Sequence, residues 1–354
     1  MTIQKKFWQN KRVFVTGHTG FKGGWLSLWL YLLGAKVAGL SLQPSSRPNF
    51  FEAVGLSDLL ESRIGDIRNI DEVTDAMSVF QPEILFHLAA QPLVRASYED
   101  PIGTYATNVM GTANVLEVAR KMPSLKVIVV ITSDKCYQNN EWVWKYREMD
   151  RLGGHDPYSN SKACAELVVD AYRKSFLSQA GVQVATVRAG NVIGGGDWSC
   201  DRLIPDYVRA STTGKPLLVR NADAIRPWQH VLEPLGGYLI LASRLFETPN
   251  SFSGAWNFGP LDPSYVSVKD VLEVMGRFWE SGVDCQLEPS MLHEAQILKV
   301  DSTKATSMLN WKPVLDFSTV IQWTAEWYKA FYADETMYDY TVNQIETFER
   351  MILS

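Results

Sequence analysis

Cysteine is scarce in this sequence of 354 residues, and the four cysteines that it contains are scattered along the chain. Their positions show none of the spacings that are typical of zinc sites or of redox-active pairs. We therefore expect no metal site, and we expect free thiols in a reducing compartment. The cysteines are Cys136, Cys164, Cys200 and Cys285.

Long apolar runs and clusters of basic residues are also missing. No apolar run approaches the length of a bilayer-spanning helix, and the N-terminus lacks the apolar stretch of a signal peptide. The net charge of -5 and the absence of a Lys/Arg cluster give no basic surface for nucleic acid. With 46% hydrophobic and 21% charged residues, the sequence predicts a cytoplasmic globular protein that has a sizeable core and needs neither membrane nor nucleic acid as a partner.

A glycine-spaced turn near the N-terminus is the most informative feature that is present. An apolar strand leads into Gly17, Gly20 and Gly23, and the apolar pattern of a helix follows. The first glycine allows a sharp turn, the second lets a pyrophosphate approach the backbone, and the third lets the helix pack on the strand. Free N–H groups at the start of the helix favour an anion. The segment predicts a dinucleotide-binding turn, with an ordinary tight turn as the alternative.

Apolar runs typical of strands alternate with helical patterns through the first half of the chain. This alternation predicts an α/β fold with a Rossmann-like doubly wound parallel sheet, covered on both faces, and a smaller C-terminal substrate-binding region. We expect a dinucleotide-binding domain at residues 1–190. Residues 191–354 should form the nucleotide-sugar-binding region, interleaved with the last strands and helices of the first domain. The predicted strands cover residues 12–16, 36–42, 84–88, 126–132 and 183–188.

Tyr158 and Lys162 form a second informative pair. They are four residues apart at the start of a predicted helix, so they share one helix face. An ammonium beside a phenol favours the phenolate, and we expect Lys162 to lower the pKa of Tyr158 in this way. Tyr158 is then a candidate base for a hydroxyl proton while hydride leaves the same carbon. A surface pair without function is the alternative.

Together these segments resemble the extended branch of the short-chain dehydrogenase/reductase family, whose members act on nucleotide sugars. The resemblance extends over almost the whole chain and includes residues 65–68, 86–91, 107–112 and 188–194. It implies NAD as the cofactor. The positions that it implies for cofactor binding are Gly17, His18, Thr19, Gly20, Phe21, Lys22, Gly23, Asp66, Ile67, Leu88, Ala89, Ala90, Thr107, Tyr158, Lys162 and Val192.

The segment Ser133-Asp134-Lys135 follows a predicted strand and indicates which reaction the resemblance implies. Ligands of open α/β sheets bind at this carboxyl edge. Sugar epimerases of the family have only a small hydroxyl residue here, whereas the 4,6-dehydratases have a hydroxyl residue followed by an acid/base pair, usually Asp-Glu. The Asp-Lys pair, together with the turn at residues 18–26, resembles the dehydratases that act on CDP-glucose. A solvated charge pair at a strand end is the alternative.

The resemblance implies a lyase reaction that oxidises C4, removes water across C5 and C6, and returns hydride to C6. It implies that Asp134 is the acid for the departing C6 hydroxyl and Lys135 the base at C5, although the two could exchange roles. Ser133 would hydrogen-bond O4. Because a lysine base has to be neutral, we expect burial and the neighbouring Lys162 to lower the pKa of Lys135.

A further set of residues in the resemblance is expected around the nucleotide sugar. Arg226 has the forked donors that suit a diphosphate, and a surface salt bridge is its alternative. Ser41 stands where NAD-selective relatives usually have an acid, and Arg47 could meet a 2′-phosphate, so NADP stays open as a cofactor. The set comprises Ser97, Asn191, Arg202, Leu203, Ile204, Arg226, Asn257 and Glu294.

Three other interpretations of the whole chain stay open at the sequence level. One is a nucleotide-sugar 4-epimerase, another is a 4,6-dehydratase that uses a different nucleotide, and the third is a non-catalytic protein that senses dinucleotide. Asp134 and Lys135 argue against the first, and the intact Tyr158 and Lys162 argue against the last. Since relatives pair through the helix that carries the tyrosine, we also expect a homodimer or a larger homo-oligomer.

Overall fold

A seven-stranded sheet forms the centre of the fold in the computed structural model, which describes residues 2–279, 283–287 and 295–353. The strands of the protein are β1 (Arg12–Thr16), β2 (Lys36–Ser41), β3 (Glu61–Ile64), β4 (Ile84–His87), β5 (Val127–Ile131), β6 (Gln183–Ala189), β7 (Val192–Ile193), β8 (Leu217–Val219), β9 (Ile225–Pro227), β10 (Gln229–His230), β11 (Gly254–Phe258), β12 (Tyr265–Ser267) and β13 (Cys285–Leu287).

The helices surround this sheet. They are α1 (Lys5–Trp8), α2 (Phe21–Leu32), α3 (Phe50–Ala53), α4 (Ile70–Phe80), α5 (Val94–Glu99), α6 (Pro101–Tyr105), α7 (Thr112–Ala119), α8 (Pro157–Tyr172), α9 (Leu203–Thr213), α10 (Leu232–Glu247), α11 (Val268–Trp279), α12 (Thr303–Leu309), α13 (Phe317–Tyr332) and α14 (Met337–Leu353). None of the described helices is long and apolar enough to cross a lipid bilayer.

The central sheet has the strand order β11-β6-β5-β4-β1-β2-β3, and every pair of neighbours runs parallel. This order reverses direction between β1 and β4, which is the point where ligands of doubly wound sheets bind. The predicted Rossmann-like α/β fold is therefore confirmed, and the five predicted strands end within about one residue of the observed ones.

Two strands of the sheet were missing from the prediction. The first, β3, is an edge strand with the sequence Glu-Ser-Arg-Ile and no fully buried residue, so it has no apolar run. The second, β11, lies in the second half of the chain and pairs with β6. The expected interleaving of the second half with the sheet agrees with the position of β11, while the domain boundary at residue 190 stays a prediction.

The sheet separates two hydrophobic cores because successive side chains of a strand point to opposite faces. In β1, Val13 and Val15 belong to the larger core, whereas Phe14 belongs to the smaller one. The larger core includes residues of α2, α10, α13 and α14, and the smaller one includes residues of α4, α7 and α8. Burial on both faces explains why these strands are nearly continuous apolar runs.

Candidate active site

The glycine-spaced turn has the geometry that its three glycines predict. Gly17 has φ +78°, and a Cβ there would lie 2.7 Å from the backbone nitrogen of Ala89. A Cβ on Gly23 would lie 2.0 Å from the carbonyl oxygen of Gly17, so only glycine lets α2 approach β1 this closely. A Cβ on Gly20 would lie 3.4 Å from that same oxygen, which is an ordinary contact. At this position the surrounding protein therefore leaves space for a side chain or a ligand. The helix that follows begins without a side-chain cap.

A cavity of about 600 Å³ lies over this turn, and we call it the glycine-turn cavity. It extends along the carboxyl ends of β1, β2 and β4, where the sheet order reverses. Most residues that were predicted to bind the cofactor line it. They are Gly17, Thr19, Gly20, Phe21, Lys22, Gly23, Asp66, Ile67, Leu88, Ala89, Ala90, Thr107, Tyr158 and Lys162.

Two predicted cofactor residues lie elsewhere. The ring of His18 is buried behind the turn, where its Nε2 shares a hydrogen bond of 2.7 Å with the hydroxyl of Ser62. Burial lowers the pKa of His18 to about 4, so its ring is neutral. The ring of His18 is not among the residues that line the glycine-turn cavity, and its predicted contact with the cofactor stays a prediction. Val192 lines the neighbouring cavity instead of the glycine-turn cavity.

The second cavity has a volume of about 760 Å³, and we call it the Asp134 cavity. The chain segment after β5 forms part of its wall and contributes Ser133, Asp134 and Lys135. The two cavities adjoin, because seven residues line both of them. These shared residues are Lys22, Pro92, Leu93, Thr132, Tyr158, Asp197 and Arg202.

Tyr158 lies where the two cavities meet. Its helix, α8, begins with Pro157 and is capped by Asp156, whose carboxylate accepts a hydrogen bond of 2.8 Å from the backbone nitrogen of Ser159. Burial raises the pKa of Tyr158 to about 12, and a contact with the hydroxyl of Ser133 opposes this increase. The structure therefore does not show the lowering of the Tyr158 pKa by Lys162 that the sequence predicted. The effect of burial on the Tyr158 pKa is larger than the opposing effect of the positive charge of Arg202.

Lys162 follows one turn later on α8 and is buried. Its Nζ donates to the carbonyl oxygen of Ile131, the last residue of β5, at 3.4 Å. Burial lowers the pKa of Lys162 to about 8, well below the ordinary value of a lysine. Lys162 also lines the glycine-turn cavity, so its amine can interact with a bound ligand as well as with the sheet.

Asp134 is buried in the wall of its cavity. One carboxylate oxygen, Oδ1, accepts a hydrogen bond of 3.1 Å from the hydroxyl of Ser133, and the other, Oδ2, has no hydrogen-bond partner among the described residues. Gly190 makes room for this carboxylate, because a Cβ there would lie 2.3 Å from Oδ2. Burial raises the pKa of Asp134, and the charge of Lys135 opposes that effect. A carboxyl group in these surroundings is suited to hold and donate a proton.

A buried ion pair behind the cavities joins the two segments that carry these residues. Glu166 on α8 and Arg188 on β6 form two hydrogen bonds of 2.8 Å, and both side chains are almost fully buried. The carboxylate of Glu166 also accepts a hydrogen bond of 2.5 Å from the hydroxyl of Thr132. Burial alone would raise the pKa of Glu166, but the hydrogen bonds from Arg188 hold it below its ordinary value.

The structure places the predicted substrate residues in two groups. Five of them line the Asp134 cavity: Asn191, Arg202, Leu203, Ile204 and Arg226. Ser97 and Asn257 are not among its lining residues, and both are fully buried. Ser97 accepts a hydrogen bond from the backbone nitrogen of Tyr158, and Asn257 donates to the carbonyl oxygens of Tyr146 and Asp301. These two side chains hydrogen-bond to other parts of the chain, and their contact with substrate stays a prediction. Glu294 lies outside the described residues.

Several charged residues of the Asp134 cavity were not predicted. Asp197 accepts a hydrogen bond of 2.6 Å from Arg202 and so holds that guanidinium in the shared wall. Asp201 lies 3.0 Å from Arg95 and 3.5 Å from Arg220, which come from distant parts of the chain. These pairs had no signal in the sequence, because their members are far apart or follow no motif. Among the described residues, no cluster of His, Cys, Asp and Glu could hold a metal ion.

The comparison with a protein-family model settles the family. The model described as GDP-mannose 4,6 dehydratase matches residues 14–324, which is most of the chain. The chain belongs to this family.

Individual members of the family and related structures agree with this assignment. The CDP-glucose 4,6-dehydratase of Salmonella typhimurium is 51% identical over 341 residues, which is 95% of each chain. The dTDP-glucose 4,6-dehydratase of the same organism is 25% identical over 78% of this chain and 81% of its own length. The crystal structure of a UDP-glucose 4-epimerase from Thermotoga maritima has a TM-score of 0.80 at 19% identity, covers 90% of this chain and 99% of its own, and supports the fold alone.

Proposed function

We propose that the chain is an NAD-dependent CDP-glucose 4,6-dehydratase. This hydro-lyase converts CDP-D-glucose to CDP-4-dehydro-6-deoxy-D-glucose, a step of deoxysugar biosynthesis such as that of lipopolysaccharide O-antigens. One observation carries the proposal: the buried Asp134 and its neighbour Lys135 share a cavity wall with Tyr158. An epimerase moves a proton only at O4, whereas loss of water also needs an acid at C6 and a base at C5. The 51% identity to the Salmonella enzyme over 95% of the chain supports CDP as the nucleotide.

The glycine-turn cavity fits a dinucleotide such as NAD. Gly20 leaves space next to the uncapped start of α2, where N–H groups and the helix dipole favour a pyrophosphate. Ser41 lines the cavity and shares a hydrogen bond of 2.7 Å with Thr19, while Arg47 is exposed and is not a lining residue. This arrangement favours NAD over NADP, since Arg47 does not line the cavity. NAD held there would supply the hydride chemistry that oxidation at C4 and reduction at C6 require.

The residues of the chain carry out the proton transfers. Tyr158 accepts the proton of the C4 hydroxyl, and Lys162 lies one turn away on the same helix. Oxidation at C4 makes the C5 proton acidic, and Lys135 removes it. Asp134 donates a proton to the C6 hydroxyl as it leaves, which its burial and raised pKa favour. The variants of Asp134 and Lys135 discussed below test whether the two residues have these roles or the exchanged ones.

The charge of the Asp134 cavity suits a nucleoside diphosphate. Seven cationic side chains and five carboxylates line the cavity, so positive charge exceeds negative charge there by two, although the whole chain carries a net charge of -5. A local excess of cations attracts an anionic substrate. The cationic residues are Lys22, Arg95, Lys135, Arg151, Arg202, Arg220 and Arg226.

The decisive experiment is incubation of the protein with NAD and CDP-glucose. We expect a product with the absorbance that 4-keto-6-deoxy sugars develop in alkali, and CDP-glucose should be consumed faster than UDP-glucose or dTDP-glucose. Formation of CDP-galactose without loss of water would indicate a 4-epimerase instead. Binding of NAD with no conversion of any nucleotide sugar would indicate a dinucleotide sensor.

We also propose a homodimer or larger homo-oligomer and a cytoplasmic location. Leu167 on α8 is 60% exposed. A second copy of the chain can pack against this apolar side chain. A monomeric mass by light scattering at micromolar concentration would contradict the assembly. All four cysteines are free thiols, which agrees with a reducing compartment.

A further inference from the structure

Lys22 is a cationic residue of the site that has no role in the proton transfers proposed above. It belongs to the first turn of α2, directly before Gly23, and it lines both the glycine-turn cavity and the Asp134 cavity. Among the described residues, none forms a hydrogen bond or an ion pair with its ammonium group. The side chain is therefore available to a ligand in either cavity.

Charged side chains from three other segments act on this ammonium group. Burial has the largest effect and lowers the pKa of Lys22 to about 8, so the amine still carries its positive charge at pH 7. Arg202 and Lys162 also lower this pKa, whereas Asp134 and Asp197 raise it. Lys22 therefore lies where the segment after β5, the helix α8 and the segment before α9 come together.

The other cation that lines both cavities is Arg202, and a carboxylate compensates its charge. Asp197, which also lines both cavities, accepts a hydrogen bond of 2.6 Å from the guanidinium of Arg202. Lys162 lines only the glycine-turn cavity, and its amine donates to a backbone carbonyl. Of the described residues that line both cavities, Lys22 thus carries the positive charge that no ion pair offsets.

The proposed reaction brings hydride transfer to the wall that the two cavities share. Tyr158 lines both cavities and takes the proton of the C4 hydroxyl, so the carbon that loses hydride and the ring that accepts it have to meet beside this residue. NAD and NADH differ in charge only at that ring, which is +1 when oxidised and neutral when reduced. A fixed cation with little surrounding water repels the charged ring, and it does not repel the neutral one.

We propose that the ammonium group of Lys22 makes the site bind NADH more tightly than NAD and so favours the transfer of hydride from C4 to the cofactor. The same preference keeps the hydride on the cofactor while water is lost across C5 and C6. The pyrophosphate is identical in both oxidation states, so a contact between Lys22 and phosphate does not create the preference. This role rests on the proposed dehydratase function.

Equilibrium binding of the two cofactor forms, without any sugar substrate, tests this role. Fluorescence titrations of the parent and of Lys22→Met at pH 7 give the dissociation constants of NAD and NADH, and the ratio of these two constants is the readout. We expect the parent to bind NADH about tenfold more tightly than NAD, which raises the midpoint potential of the bound cofactor by about 30 mV. Lys22→Met should bind both forms within about twofold of each other. Lys22→Arg retains the charge and should retain the preference.

Asp197→Asn should change the ratio in the opposite direction. This change removes the negative charge that compensates Arg202, while asparagine keeps an oxygen that can accept the hydrogen bond from the backbone nitrogen of Ser199. The preference for NADH should therefore exceed that of the parent, an effect that a purely structural role of the wall does not produce. Lys36→Met is the matched control. Lys36 is exposed at the start of β2 and lines neither cavity, so its loss should leave the ratio unchanged.

The outcomes distinguish the role of Lys22 from the function on which it rests. If Lys22→Met keeps the ratio of the parent, or weakens both cofactor forms by one factor, Lys22 contacts only groups common to NAD and NADH and the proposal is wrong. Equal affinities of the parent for the two forms would also overturn it, whether or not the variant folds. The ratio involves no conversion of sugar, so a failure of the parent to form 4-keto-6-deoxy product from any nucleotide glucose would instead refute the dehydratase function.

Discussion

Replacement of Glu233 by glutamine should stabilise the protein at alkaline pH and have little effect at acidic pH. Glu233 is 1% exposed in the first turn of α10. Its Oε1 accepts hydrogen bonds of 2.8 Å and 2.7 Å from the backbone nitrogens of Val314 and Leu315, and its Oε2 has no partner among the described residues. Burial raises the pKa of Glu233 to about 7, although the two backbone hydrogen bonds oppose this effect.

The size and sign of the effect follow from this pKa. In the unfolded chain, the carboxyl group ionises near its ordinary value of 4.5, whereas in the folded protein it ionises near 7. The folded state therefore holds a proton that the unfolded state has lost between these two pH values. Stability is fully present below about pH 4.5 and falls as the pH rises through about 7. The total loss is about 3 kcal/mol at 1.36 kcal/mol for each pKa unit.

Urea unfolding of parent and Glu233→Gln at about pH 5 and about pH 8 measures this loss. Glutamine keeps the oxygen that accepts both backbone hydrogen bonds and cannot ionise, so the variant should exceed the parent by about 3 kcal/mol at the higher pH only. Other titrating groups cancel in the comparison, because both proteins contain them. Glu346→Gln, at an exposed position of α14, is the control and should show no such difference. A stability difference that does not grow with pH would refute the reasoning.

Further predictions concern the site. Tyr158→Phe should lower kcat by about 10²-fold or more with an unchanged circular dichroism spectrum, because only the hydroxyl is lost. Asp134→Asn and Lys135→Met should accumulate NADH without product, and only the lysine variant should lose exchange of the C5 proton in deuterated water. The reverse pattern would exchange the two roles. Gly23→Ala should fail to fold normally, because its Cβ would lie 2.0 Å from a carbonyl oxygen, whereas Gly20→Ala should fold and bind NAD weakly in a fluorescence titration.

Strands buried on both faces were predictable because burial leaves an apolar run in the sequence. The five runs of the prediction all became strands of the central sheet. The edge strand β3 has three exposed residues out of four and no such run, so periodicity could not identify it. Its pairing with β2 depends on backbone hydrogen bonds that any sequence can form.

The parts of the site that depend on short chain distances were also predictable. The three glycines and the pair Tyr158 and Lys162 each act within one turn of helix or loop, so their spacing carries the information. The direction of the Tyr158 pKa was not predictable, since it depends on burial by residues from several segments. The complete burial of Ser97 and Asn257 was not predictable for a similar reason, because a family pattern does not show which distant segments enclose a side chain.

The ion pair of Glu166 and Arg188 explains how two separate segments form one site. Tyr158 and Lys162 belong to α8, whereas Ser133 and Asp134 follow β5, and few local interactions along the chain fix their distance. Glu166 is one helical turn beyond Lys162, and its carboxylate binds both Arg188 on β6 and Thr132, the residue immediately before Ser133. A helix register is rigid, and a fully hydrogen-bonded buried pair tolerates little displacement. The carboxylate therefore fixes the phenol of α8 relative to the acid after β5, so that both side chains face one site.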